Sequence, residues 1–179
     1  MKKSFFIIVV FILSMGLRAE IFGSAGTLKP GVMMFGVEPQ INIKPTDVMG
    51  YFHFGVGIIE KMDLNFKLGL GSADTYFGGD LEYQFIKSDA VDLSLSFGTH
   101  YQGSAFLDIT PILTHRFKSF ALSSGPKFNW QISNGRYLSM SWFAGVSVPI
   151  YRNVELLADA GIKIRGNYSW ISGGIATYF

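Results

Sequence analysis

The chain has 179 residues, enough for one domain, and carries 49% hydrophobic residues, only 16% charged residues and a formal net charge of +2. With no basic run, a nucleic-acid partner is excluded. With no cysteine, disulfides, thiolate catalysis and cysteine-ligated zinc are excluded as well. What remains is an apolar chain rich in rings and in glycine, with 17 Phe, 8 Tyr and 21 Gly.

The first residues, MKKSFFIIVVFILSMGLRAE, place Lys2 and Lys3 before an apolar run from Phe5 to Leu13 and then small residues. That three-part layout predicts a secretory signal peptide over residues 1–19, cut after Ala19, with Leu17 at the third position back. The alternative, a retained anchor, would need about 20 apolar residues to cross a bilayer. The mature domain is expected to be residues 20–179, exported and without a lipid-modified cysteine. No later stretch is apolar for long enough to form a spanning helix.

From residue 32 the chain alternates between apolar and polar positions, the mark of strands with one apolar face. Residues 32–43 set Phe35, Val37, Ile41 and Ile43 against Glu38, Gln40 and Asn42. Residues 48–59 set Phe52, Phe54, Val56 and Ile58 against His53 and two glycines. Met62, Leu64, Phe66, Leu68 and Leu70 then alternate with Asp63, Asn65, Lys67, Gly69 and Gly71. The same pattern runs through 75–86, 91–98, 104–117, 119–132, 137–150 and 154–165, and a last segment covers 167–179. Between them fall short turn signals: KPTD, EK, SAD, KSDA, QG, KS, SNGR, YRN and RGN. Ten strands are expected, eight being the alternative count, each long enough to span a bilayer when tilted.

One phrase recurs. MDLNFKLG at 62–69 returns as VDLSLSFG at 91–98 and as VELLADAG at 154–161, with a weaker relative, FALSSG, at 120. The starts recur roughly every thirty residues, the length of one hairpin. The phrase marks strands that run the same way. Its leucine is expected outside, its acid inside, and its glycine where the interior is crowded.

Alternation alone fits a soluble sandwich too. The inverse arrangement, apolar face outward and polar face inward, is favoured by the unbroken apolar face and the lack of a charged outer surface. Aromatic residues also sort by height. Tyr76, Phe77, Tyr101, Trp130, Tyr137, Tyr168 and Trp170 lie near one set of turns, and Phe85, Phe117, Phe120, Tyr151 and Phe179 near the other. Two such belts are expected at the two interfaces of a membrane. Lipid offers no hydrogen bonds, so the sheet must close on itself. The expectation is an all-β fold: a closed, antiparallel, up-and-down transmembrane β-barrel with both termini on one side.

The export signal, the alternating hairpins and the terminal SGGIATYF resemble small bacterial outer-membrane β-barrel proteins. Ser172, Gly174 and Phe179 match the family's terminal pattern, while Thr177 stands where an apolar residue is usual. The resemblance implies residence in outer-membrane lipid and recognition of this terminus by the barrel-assembly machinery.

The expected interior carries the acids Glu38, Asp63, Asp80, Glu82, Asp92, Asp108, Glu155 and Asp159. Facing them are Lys67, Arg116, Lys127, Lys163 and Arg165, with His53 and His100. Charges in a narrow lumen must pair. Simple hairpin register around the SAD turn sets Lys67 near Asp80 and Asn65 near Glu82, so Lys67 is expected to pair with Asp80 or Glu82. The leading reading is a salt-bridged, largely plugged interior with a structural or narrow-pore role, no enzymatic chemistry, no cofactor and no metal.

Three other readings stand beside it. One is a lipid- or peptide-hydrolysing enzyme using a rim histidine, His53 or His100, with Ser104 close in sequence to the latter. His115 is expected outward, in an interfacial role. Another is a conduit for small or apolar solutes, its lumen hollowed by Gly55, Gly57, Gly69, Gly71, Gly98 and Gly145. The last is an adhesin, though loops of a few residues give a partner little to hold. Residues 20–31 are expected to form either an extra strand or a plug.

Overall fold

Alternating side chains can bury one face of a strand only if neighbouring strands present the same face, so each turn signal becomes a hairpin. The computed structural model describes residues 24–43, 46–133, 137–166 and 169–179. In it the chain forms β1 (Met33–Ile43), β2 (Asp47–Ile59), β3 (Met62–Gly71), β4 (Tyr76–Lys87) and β5 (Val91–Tyr101), then β6 (Ala105–Arg116), β7 (Ala121–Gln131), β8 (Tyr137–Tyr151), β9 (Val154–Arg165) and β10 (Ser169–Tyr178). Each strand pairs antiparallel with its sequence neighbours, and β1 pairs with β10 to close the barrel. The count is ten, not eight. The shortest strands have 10 residues and the longest 15, enough for a tilted strand to cross hydrocarbon, which takes about 9–11. The expected signal peptide, residues 44–45, residues 134–136 and the pair 167–168 lie outside the described residues.

The seam is held along its length. Met34 faces Tyr178, Val37 faces Ile175 and Gln40 faces Ser172. At its end Met33 N donates to Phe179 O at 3.1 Å, and Phe179 N donates back to Met33 O at 2.9 Å. The carboxyl-terminal residues therefore finish the same sheet that residue 33 begins.

The outer surface is apolar. Phe54, Phe66, Leu68, Leu81, Phe97, Ile109, Leu122 and Ile175 all project outward. Phe77, Tyr101, Trp130 and Tyr137 ring the end that carries the 72–75 and 102–104 connections, and Phe85, Phe117, Phe120, Tyr151 and Phe179 ring the end where β1 begins and β10 finishes. Two members of the expected belt depart from it. Tyr76 and Trp170 point into the lumen. Their strand parity places them with the polar positions, Trp170 with Ser172 and Tyr76 with Gly78 and Asp80.

The interior holds what alternation assigns to it and more. Tyr51, Phe143 and Tyr178 are buried there, as are Ser94, Thr114, Ser123, Ser141 and Ser147. The repeated phrase is explained by its eighth residue. Gly69 lies under the ring of Tyr51, Gly98 against Asp80, and Gly161 under the ring of Trp170, its cross-strand partner. A β-carbon at any of these would collide with the neighbour's side chain. Glycine in a strand costs conformational entropy and gains a close approach of this kind.

Two expectations follow. Phe97 sits mid-strand on β5 and is 49% exposed on the outer face. Phe97→Arg should weaken folding into phosphatidylcholine vesicles by about 2–4 kcal/mol, read from urea titrations. Gly161→Ala should displace the Trp170 ring and cost about 1–3 kcal/mol, with a shift in tryptophan emission.

Candidate functional site in the barrel lumen

The lumen is organised in layers, each set by strand register. At the end where β1 begins and β10 finishes, Tyr178 OH donates to Glu155 Oε2 at 2.7 Å. Arg116 Nη2 pairs with Asp92 Oδ2 at 2.5 Å, and the Asp92 side chain is fully buried. Thr114 and Ser123 share a hydroxyl contact of 2.8 Å.

Into this layer comes the segment that precedes β1. Lys29-Pro30-Gly31-Val32 forms a tight turn: Val32 N donates to Lys29 O at 3.0 Å and Gly31 has φ +79°. Proline at the second place and a positive φ at the third are the requirements of a type II turn, and glycine meets the latter without strain. The turn folds residues 24–28 back inside the barrel. Ala25 is 0% exposed and Leu28 1%. Leu28 N donates to Asp63 Oδ2 at 2.9 Å, Thr27 Oγ1 to Gln84 Oε1 at 3.1 Å, and Ala25 N to Thr114 Oγ1 at 2.7 Å. The segment thus spans the lumen from β3 past β4 to β6. Leu28 packs with Val32, Met34, Leu157, Ala176 and Tyr178, and Ala25 with Ile112 and Phe143. Gly57 makes room for it, since a β-carbon there would strike the Lys29 carbonyl.

The middle layer is ionic. Glu38 on β1 accepts from His53 on β2 at 2.6 Å and from Lys67 on β3 at 3.3 Å. Lys67 Nζ also lies 4.3 Å from the Tyr51 ring centroid, a cation–π geometry. Asn65 Nδ2 donates to Asp63 at 3.0 Å and to Asp80 at 3.5 Å, and Ser96 Oγ donates to Asp80 at 3.0 Å. Glu82 is buried nearby. Trp170 Nε1 donates to Asp159 Oδ1 at 2.7 Å. Ser172 is buried beside them, directly across from Asp159, and Gly174 packs against the β1 backbone at Glu38. A cavity of about 180 Å³ is bounded by these groups, with Ser24 at one side.

The pairing expected for Lys67 is corrected here. Lys67 faces Gly78, Asn65 faces Asp80 and Asp63 faces Glu82. The last β3–β4 pair is Gly69 with Tyr76, so the hairpin is centred one residue earlier than the SAD turn implied. In an antiparallel pair that moves every partner by two positions. Leu70 and Gly71 meanwhile stay paired to Gly50 and Met49 of β2. Lys67 therefore reaches two strands in the other direction, to Glu38.

The layer at the opposite end, farthest from the β10 terminus, is aromatic and basic. His100 lies between the rings of Tyr76 and Phe106, stacked at 4.8 and 4.6 Å. Its Nδ1 is bonded to Asp108, which also accepts from Asn129. Ser104 Oγ accepts from Gln131 Nε2 at 3.0 Å. Among the described residues no hydrogen bond joins His100 to Ser104. His53 is committed to Glu38. His115 faces outward against Phe117, ring centroids 4.5 Å apart. Lys127, Lys163 and Arg165 line a second cavity of about 80 Å³, continuous in its lining with the first through Gln40, Lys67, Tyr76, Lys127 and Trp170.

With this geometry in view, the comparisons with known proteins are narrow. No family model matches the chain. No curated protein matches it. Solved structures do. A NanC porin structure matches with TM-score 0.58 at 9% identity, over 81% of this chain and 98% of that one. A KdgM porin structure matches with TM-score 0.52 at 10% identity, over 82% and 99%. The KdgM porin in complex with disordered oligogalacturonate matches with TM-score 0.51 at 10% identity, over 83% and 99%. The fold is that of porin barrels. At such identity the likeness covers the fold alone, and the lumen must be read from its own residues.

Inward residues that alternation left unassigned include Tyr51, Phe106, Phe143 and Tyr178; counting by twos from His53, Asp108, Ser141 and Ser172 would have placed each. The Lys67 contact is checked by double-mutant cycles. Lys67→Met with Glu38→Gln should show a coupling of about 1–3 kcal/mol in vesicle-folding titrations, whereas Lys67→Met with Asp80→Asn should couple by less than about 0.5 kcal/mol.

Proposed function

We propose that the chain is an outer-membrane β-barrel of structural role whose lumen its own amino-terminal segment keeps closed. The observation that carries this is residues 24–28: buried, bonded to three separate strands, and seated beneath a layer of paired charges. The apolar exterior and the porin fold support residence in lipid. Residues 1–19 act as the export signal, removed after Ala19. The end where β1 begins and β10 finishes faces the periplasm. Ser172, Gly174 and Phe179 form the terminus read by the barrel-assembly machinery. A non-enzymatic function is favoured because His100 is held between the rings of Tyr76 and Phe106 and bonded to Asp108, while Ser104 is bonded to Gln131 instead.

A narrow conduit is the second reading, favoured by the shared lining of the two cavities. Planar-bilayer recordings separate the two. The mature chain, residues 20–179, should be nearly silent, and deletion of residues 20–29 should open steady ionic conductance. Heat-modifiable gel mobility confirms that both are folded. Equal conductance from both proteins would favour the conduit and remove the closed reading.

A further inference from the structure

The lumen's charges are sorted along its axis, and the sorting has a chemical consequence. The middle cavity is lined by six carboxylates, those of Glu38, Asp63, Asp80, Glu82, Asp108 and Asp159, against the ammonium groups of Lys67 and Lys127. The cavity at the far end has the opposite character. Among the described residues no carboxylate lines it, and Lys67, Lys127, Lys163 and Arg165 all do. Of these, Lys67 is matched by Glu38. Among the described residues, the side chains of Lys127, Lys163 and Arg165 have no ion-pair partner within 4.0 Å.

We propose that this far-end vestibule is a binding site for a compact organic anion, a carboxylate or phosphate group carried on a small polar molecule. Strand register aims the cations: Lys163 and Arg165 continue the inward series of β9 that includes Glu155, Asp159 and Gly161. Lys127 belongs to the inward series of β7 with Ser123 and Asn129. Lys163 and Arg165, with Lys127 reaching in from the edge of the carboxylate layer, repel each other around one small volume and gain from an anion between them. An arginine fork and ammonium donors suit a planar carboxylate or a phosphate. The cavity of about 80 Å³ admits one such group rather than a chain of them. The rings of Tyr51, Tyr76 and Trp170 give apolar faces on which the remainder of the molecule can lie. Beneath, the carboxylate layer repels the anion, so the vestibule holds its ligand at the mouth. The site does not require the lumen to be closed, and its test is independent of conductance.

The experiment uses the mature protein folded in neutral detergent, with D-glucuronate and inorganic phosphate as probes and D-glucose as the uncharged control. Calorimetry and Trp170 emission report binding. Glucuronate and phosphate should bind saturably, glucose should not, and affinity should fall as salt is raised. The Lys163→Gln/Arg165→Gln protein, altered only at the exposed rim, should bind roughly tenfold more weakly while keeping its heat-modifiable mobility. Lys127→Gln should do the same from inside. Repeating the titration in vesicles containing anionic phospholipid identifies the source. Unchanged glucuronate affinity assigns the site to soluble anions, and competition assigns it to lipid phosphate. Binding of glucose as tight as that of glucuronate, or anion binding unaltered by both variants, would overturn the proposal.

Discussion

Closure of the sheet is the constraint on which the rest of this molecule depends. Hydrocarbon offers no partner to a backbone N–H or C=O, so every strand must be paired on both sides. The seam between β1 and β10 makes that possible, and it runs from Ile43–Ser169 to the reciprocal bonds of Met33 and Phe179. Once the sheet is closed, parity leaves no freedom: the apolar half of each strand meets lipid and the other half converges on one axis.

That convergence creates the second problem, which is crowding and charge. Ten strands bring carboxylates, ammonium groups and rings within contact of one another, and an unpaired buried charge is costly. The network around Glu38, Asp80 and Asp108 answers it with ion pairs and amide and hydroxyl donors. The rings of Tyr51 and Trp170 answer the crowding by lying over glycines. Gly69, Gly98 and Gly161 thus occupy equivalent places in three hairpins because each neighbour's side chain needs the space a β-carbon would take.

The amino-terminal segment uses the same lumen differently. It forms no strand, and its backbone N–H groups would be unsatisfied inside a barrel were Asp63 and Thr114 not there to accept them. The Pro30–Gly31 turn decides its path, since without a positive φ at residue 31 the chain would not fold back under β2. Alternation and the turn signals left residues 20–31 open between an extra strand and a plug, because only the closed barrel provides an interior for the turn to enter.

Much of the architecture was written in the order of residues. Period-two alternation and the turn signals placed ten strands within a few residues of their ends, because a strand's two faces differ in solvent and that difference must be encoded locally. Parity likewise assigned Glu38, Asp63, Asp92 and Glu155 to the inside. Tertiary structure decided which inward groups meet. A one-residue displacement of the β3–β4 turn gave Lys67 to Glu38 instead of Asp80, and closure of the ring brought Tyr76, which parity already sets inward, against His100 and Trp170 against Asp159. The physical reason is that facing is a property of one strand, whereas partnership depends on register and curvature summed around the whole ring.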